Sequence, residues 1–476
     1  MGYSMGSQWR WSAALLLVMA STCIKGLAPW HMNDFIKAVE QVEHGSPELQ
    51  PVALLRSLRK ASGLNDVVIQ HFLGKSNSDG AALDSGLSGY FSKALQHRVT
   101  EDGEEEGVVL ISDGTTVALK PLLLGIEAGF LSKTRERVRG LYQLTLALDL
   151  GLSFKHFHRS HLSQRLGADG CWDSVTSPRV FTLSNTPAHV TTALINGGMD
   201  GVILGTEVST PSRRPLKLSS LLRTYYCHQL ERDGLDKAPR LISRRRRQNF
   251  IELVKPSLLA RQVERSLDLH RKLKKHPKMA VKEKEELMAV VNEGVKEFVS
   301  KYMDCPAIIP RCMWGARPYK GTPTLLSLPL SFLYIHHTST PSQPCLTFQQ
   351  CSADMRSMQR FHQDDRGWND IGYSFVAGSD GNIYEGRGWH WRGAHTYGHN
   401  SKGYGVAFIG DYSTQLPSNH SMELVRDCLA SCAVGGGRLT SNFILQGHRQ
   451  VVNTACPGDA LYKEITGWKH FGEVKG

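Results

Sequence analysis

The last third of this chain limits its fold more than any other feature. From residue 303 onward, runs short enough for strands alternate with turn signals and helical stretches. Phe332-Leu-Tyr-Ile335 leads into His336 and His337. Tyr373-Ser-Phe-Val-Ala377 ends at Gly378-Ser-Asp-Gly381, a hairpin-like turn, and Asn382-Ile-Tyr-Glu385 follows it. Gly405–Ile409 and Phe443–Gln446 are two further strand candidates, and helices are expected over Cys351–Gln363 and Met422–Val434. Strands interleaved with helices in one stretch of this size predict a single α/β domain, a central mixed β-sheet flanked by helices.

The preceding residues differ in texture. Aromatic residues are few, and the helical period dominates stretches such as Thr116–Ala128 and Leu141–Leu152, so this region is expected to be mainly helical. Between Pro256 and Met303 the apolar positions Leu287, Val290, Val291, Val295, Phe298 and Val299 recur every three or four residues. That pattern describes an amphipathic connecting helix. Gly197, Gly198 and Gly201 read as turn glycines. Arg244-Arg-Arg-Arg247 reads first as a solvated loop, with a processing site and a polyanion contact as alternatives.

Arg10, the apolar run Trp11–Met19 and the small residues Ala20, Ser21 and Thr22 have the form of a secretory leader. The expected division is therefore a signal peptide over 1–22, a helical region of unassigned role over 23–300, and the α/β domain over 301–476. No later run reaches the roughly 18 apolar residues of a membrane span, so a secreted, extracellular protein without a transmembrane segment is expected. Asn419-His-Ser421 is a glycosylation sequon. The chain has 476 residues, 41% of them apolar and 21% charged, which is material enough for a core. Its net charge of +12 favours anionic partners: nucleic acid, acidic membranes or cell-wall polymers. An exported chain without a nucleic-acid module argues against the first.

Four side chains stand out as metal ligands: His336, His337, His448 and Cys456. The histidines end strand candidates, and a rigid sheet can hold ligands there. Neighbours on an extended chain face opposite ways, so only one of His336 and His337 can point to a shared ion. Two imidazoles and a thiolate suit zinc, and three protein ligands leave a fourth position for water.

Tyr334-Ile-His-His-Thr338, Gly367-Trp-Asn-Asp-Ile-Gly-Tyr-Ser-Phe375, Asp380–Trp389, Gly393-Ala-His395 and Gly447-His-Arg449 with Cys456-Pro-Gly458 follow one another in order. Together they resemble the peptidoglycan recognition proteins, whose fold is shared with the phage-type zinc N-acetylmuramoyl-L-alanine amidases. The likeness covers roughly residues 303–470, and the long extension before it is similar to the long secreted vertebrate form. The resemblance implies Zn2+ held by His336, His448 and Cys456, with His337 behind them and Tyr373 and Thr454 at the catalytic positions. It implies hydrolysis of the lactyl-amide bond between N-acetylmuramic acid and L-alanine in bacterial peptidoglycan, as part of innate immunity.

The same resemblance places His362, Gly367, Trp368, Arg392, His395 and Asn400 along the groove for the muropeptide stem. The Gly-Trp pair with a nearby arginine goes with stems of the diaminopimelate type. It also implies a short-loop disulfide, Cys345–Cys351, and a second bridge, Cys305–Cys432. The pairing of Cys171, Cys227, Cys312 and Cys428 stays open, a Cys312–Cys428 bridge being one possibility, and the sequence does not fix an oligomeric state. Two rival readings remain at this point: a recognition or bactericidal protein that binds the wall without cutting it, and a thiol hydrolase with Cys456 as nucleophile and His448 as base.

Overall fold

The computed structural model describes residues 30–75, 83–95, 98–99, 105–132, 192–209, 216–226, 241–253, 256–273, 281–299 and 305–473. The readings for the leader, Leu141–Leu152, Cys171 and Cys227 lie outside these residues.

The first part is mainly helical, as expected, with short strands set among the helices. Strands β1 (Trp30–His31), β4 (Val108–Leu110) and β5 (Thr116–Ala118) form one small sheet, and β2 (Arg98–Val99) pairs with β3 (Glu105–Glu106). The stretch from Thr116, expected to be helical, therefore opens as a strand and becomes helix at Leu119–Ser132. The β-branched Thr116 and Val117 suit the strand, and Val117 is wholly buried in it. The expected connecting helix between Pro256 and Met303 is two helices, Pro256–Leu273 and Val281–Phe298, packed on each other.

Two sequence readings are overturned here. Gly197, Gly198 and Gly201 lie inside the helix Thr192–Ser209 and not in turns. This helix packs against Leu119–Ser132 through facing glycines: a methyl on Gly125 would sit 2.6 Å from Gly201 Cα, and one on Gly129 would strike the Gly205 carbonyl. Gly197 in turn rides over the Ala118 carbonyl. The spacing of four puts Gly197, Gly201 and Gly205 on one helix face, where the absent side chains let two apolar helices approach backbone to backbone. Arg244–Arg247 is likewise no solvated loop but part of the helix Ile242–Leu253. Arg246 is buried, and its Nε and Nη2 donate to Asp200 Oδ1 and Oδ2 at 2.7 and 2.8 Å. The Tyr225 and Tyr226 hydroxyls donate to the same carboxylate at 2.6 Å each, so its charge is met from three sides.

The second part is the expected α/β domain. Its sheet comprises β6 (Ile308–Ile309), β7 (Leu330–His337), β8 (Phe375–Ala377), β9 (Ile383–Glu385), β10 (Gly403–Phe408) and β11 (Leu439–Gly447). The order is β11-β7-β10-β8-β9-β6, all pairs being parallel except the β8–β9 hairpin. Helix Phe348–Arg360 continues into a wider π-turn to Asp365, and the helical run Asn419–Gly435 carries a π-turn at Leu424–Leu429. Cys345 bonds to Cys351 and Cys305 to Cys432. Cys428 is an unpaired, exposed thiol, so the Cys312–Cys428 bridge is not formed.

The two parts share a core. Val108, Leu110, Ala118 and Ala193 of the first pack with Ile309, Met313, Trp314, Phe348 and Met355 of the second. Polar ties among the described residues accompany them: Asn382 Nδ2 donates to the Asp113 carbonyl at 3.3 Å, and Arg247 Nη1 to that of Cys305 at 2.7 Å.

Candidate metal centre

Sheet register brings the ligands together. On neighbouring strands Gly447 lies opposite Ile335, so the next residues, His448 just past β11 and His336 within β7, stand side by side. Their rings are 4.4 Å apart, centroid to centroid. The chain then loops back through Thr454 to Cys456. Arg449 holds this loop: its backbone N–H donates to the Cys456 carbonyl at 3.0 Å, Nη1 to Asp459 at 2.6 Å, and Nη2 to the Ala455 carbonyl. Glycine is required at 458, where φ is +92° and a side chain would run into the Tyr412 backbone. Donor atoms of His336, His448 and Cys456 all fall within 4.8 Å of one another, with Cys456 Sγ 3.7 Å from His336 Nδ1.

These residues fit a metal ion. Among the described residues the buried His448 Nδ1 has no hydrogen-bond partner. A buried ring nitrogen left unpaired is costly unless something else takes its lone pair. Burial lowers the pKa of His336 well below the ordinary imidazole value, with His448, His395 and His337 adding to the effect. It lowers that of His448 to about 4. Both rings are thus neutral, the state in which imidazole binds metal. Burial pushes the Cys456 thiol up to about 12, a charge cost that a cation would offset.

His337 faces the other way, as strand alternation requires. Its Nδ1 accepts from the Tyr412 N–H at 3.2 Å and lies 3.6 Å from Asp411, while its carbonyl is 3.8 Å from Cys456 Sγ. Thr454 uses its hydroxyl to accept the Cys456 N–H at 3.2 Å, which shapes the ligand loop from within.

A wall of aromatic and imidazole rings extends from the centre. Tyr373 lies 5.4 Å from His336 and 5.8 Å from His362, and His362 stacks on Trp368 at 4.7 Å. Burial, and after it the neighbouring Cys456, holds the Tyr373 phenol well above its ordinary pKa, so it stays a hydrogen-bond donor. His362 Nδ1 accepts from the Gly372 N–H at 3.2 Å, and burial brings its pKa down to about 4. Gly367, at φ +66°, and the partly exposed Trp368 form a rim. Arg392 is exposed; its backbone N–H donates to Thr324 at 2.8 Å, and its carbonyl accepts from Arg387 at 2.7 Å. His395 is buried 5.4 Å from His336. Asn400 works within its own loop, where Oδ1 accepts the N–H groups of His395 and Thr396 at 2.8 Å each.

The sequence reading did not find the groups that hold these walls in place. Asp370 is buried against Arg311 at 2.7 Å and accepts from Gln359 at 2.6 Å, which anchors the loop bearing Trp368 and Tyr373. Arg387 pins that loop to the Arg392 segment by donating to the Ile371 carbonyl at 2.8 Å as well. Thr396, beside His395, was also missed, although it adjoins a motif that was read.

Comparison with known proteins fits this geometry. The family described as N-acetylmuramoyl-L-alanine amidase matches residues 326–459, which span β7, β8, β9, β10, β11 and all three candidate ligands. A mouse protein named N-acetylmuramoyl-L-alanine amidase is 41% identical over 529 aligned positions, covering 98% of each chain. A human protein of the same name is 41% identical over 83% of this chain and 81% of its own. Peptidoglycan-recognition protein 1 of Holotrichia diomphalia is 43% identical over 35% of this chain and 83% of its own. The likeness to the two mammalian proteins runs through the helical part as well as the α/β domain, and the chain belongs to the peptidoglycan recognition protein family, among its long members.

Proposed function

We propose that this chain is a zinc-dependent N-acetylmuramoyl-L-alanine amidase, cutting the bond between the lactyl group of N-acetylmuramic acid and L-alanine in bacterial peptidoglycan. The observation that carries the reading is the convergence of His336, His448 and Cys456 within 4.8 Å, with the Tyr373 ring 5.4 Å from that of His336. The mammalian relatives named for this activity support it. A zinc ion bound there supplies Lewis acidity and an activated water near neutral pH. The chain's own residues do the rest. Neutral His336 and His448 offer lone pairs, and Cys456 must give up its proton on binding, which makes metal affinity rise with pH. The Tyr373 hydroxyl donates to the carbonyl oxygen as negative charge builds there, from a pre-set position. Burial raises the free Cys456 thiol, which disfavours it as an attacking group, and its place beside His336 and His448 supports the part of a ligand.

Along the groove, Trp368 and His362 offer a stacked apolar face to the stem peptide, with Gly367 at the rim. The exposed Arg392 guanidinium suits the additional carboxylate of a diaminopimelate stem, which it can hold bidentately. His395 lies beside His336, and Asn400 holds the turn that carries it. Thr454 fixes the loop that delivers Cys456. The leader over 1–22, the helical region over 23–300, the domain over 301–476, secretion, glycosylation of the exposed Asn419 and a role in innate immunity belong to the same proposal. The Cys305–Cys432 and Cys345–Cys351 bridges accord with an oxidising compartment. Among the described residues no helix is long and apolar enough to cross a membrane.

Mass spectrometry of a defined muropeptide digest tests the reading. Wild type is expected to release stem peptides beginning at L-alanine, and Cys456→Ser to release none while still binding. Retention of substrate by the wild type with no release would leave a recognition protein instead.

A further inference from the structure

Thr396 is wholly buried between the two histidines that flank the centre. Its Oγ1 lies 2.9 Å from His395 Nδ1 and 3.3 Å from His336 Nε2. The loop beneath it is fixed, since Asn400 accepts both backbone N–H groups at this turn. A hydroxyl has one hydrogen and two lone pairs. Placed between two ring nitrogens, with no further partner among the described residues, it uses its own buried hydrogen only by accepting from one ring and donating to the other, since accepting from both would leave that hydrogen unpaired.

The direction follows from the far side of His336. There Nδ1 faces Cys456 Sγ at 3.7 Å within the ligand set, so Nδ1 must carry the lone pair. The ring proton is then on Nε2 and is donated to Thr396. The threonine hydrogen is left for His395 Nδ1, which makes His395 the Nε2–H tautomer. That Nε2 is buried and has no partner among the described residues, so its N–H is an unpaired donor beside the centre.

We propose that Thr396 is the positioning residue of this centre, one hydroxyl fixing the tautomers of His336 and His395 together. The inference rests on the metal-centre reading for its direction. Partners of this kind, behind a ligand, set ring orientation and are worth about 10–100-fold in metal affinity.

The test uses full-length protein labelled with ¹⁵N in its histidine rings, with His336 and His395 assigned by the resonances lost in His336→Gln and His395→Gln. In the metal-free wild type both rings are expected as Nε2–H. Thr396→Val, which keeps the shape and removes the hydroxyl, is expected to mix the tautomers and to weaken zinc binding about 10–100-fold in competition with a chromophoric chelator. Thr396→Ser should restore both. A proton on His336 Nδ1 in the wild type overturns the proposal without need of any variant, and so does a valine variant with unchanged ring signals and affinity. Failure of the wild type to bind zinc contradicts the metal reading instead, while the ring signals of metal-free protein still decide the role of Thr396.

Discussion

Tyr373 illustrates how much one side chain's surroundings decide. Its phenol is kept protonated by burial, so its chemistry is donation and not proton removal. Tyr373→Phe is expected to lower kcat about 10²–10³-fold with little change in KM, the signature of a contact made in the transition state. A rise in KM with unchanged kcat would assign it to substrate binding instead. Far from the groove, Arg246 meets Asp200 in a fully buried pair. Arg246→Met leaves that carboxylate to two phenols alone and is expected to cost about 3–5 kcal/mol, read as a lowered urea midpoint. A loss within the ordinary surface range of about 0.5 kcal/mol would contradict the buried network. His336, His448 and Cys456, which the structure brings together, were legible in the sequence through the ordered motifs that resemble a known family, since residue type and spacing alone do not single them out. Thr396 and Arg246 were not. Thr396 reaches His336 from 60 residues away and Arg246 reaches Asp200 from 46, and residue type alone does not distinguish them from a surface threonine and a solvated arginine run.

Strands and their register carry the centre, while the helix pair Leu119–Ser132 and Thr192–Ser209 carries the first part. Gly129→Ala brings a methyl onto the Gly205 carbonyl. Helix propensity alone would favour alanine by about 1 kcal/mol, but backbone here has no soft neighbour to yield. The variant is expected to be destabilised by about 1–3 kcal/mol, seen as a lower Tm. A raised Tm would show that the helices are not in contact at this seam. Glycines inside helices are hard to recognise because propensity assigns them to turns, and only their spacing of four, at 197, 201 and 205, betrays a shared face. The β8–β9 hairpin was readable for the opposite reason: its turn residues and flanking alternation agree.

Across the whole molecule, the change of composition near residue 300 was visible, but the core shared across it was not, because an apolar residue does not announce which partner it packs on. At this junction burial raises the Asp380 pKa from 3.8 to about 6, with nearby Asp113 adding to it and the Tyr384 and Asn382 hydrogen bonds partly opposing it. Between about pH 4 and 6 the folded chain thus binds more proton here than the unfolded chain does. This group's contribution is most favourable below pH 4 and is lost as pH rises through about 6, by up to about 3 kcal/mol. Asp380→Asn should abolish that slope, measured as the difference in unfolding free energy from wild type at pH 4.5 and pH 7; an unchanged difference would contradict it. The account as a whole stands on the three ligands and their reaction. Its most direct test is a zinc titration of chelator-stripped full-length protein while the stem peptide released from a muropeptide is followed. Activity that rises from near zero and breaks at one zinc per chain is the expected result. Full hydrolysis by stripped protein, or none at any zinc level, would contradict it.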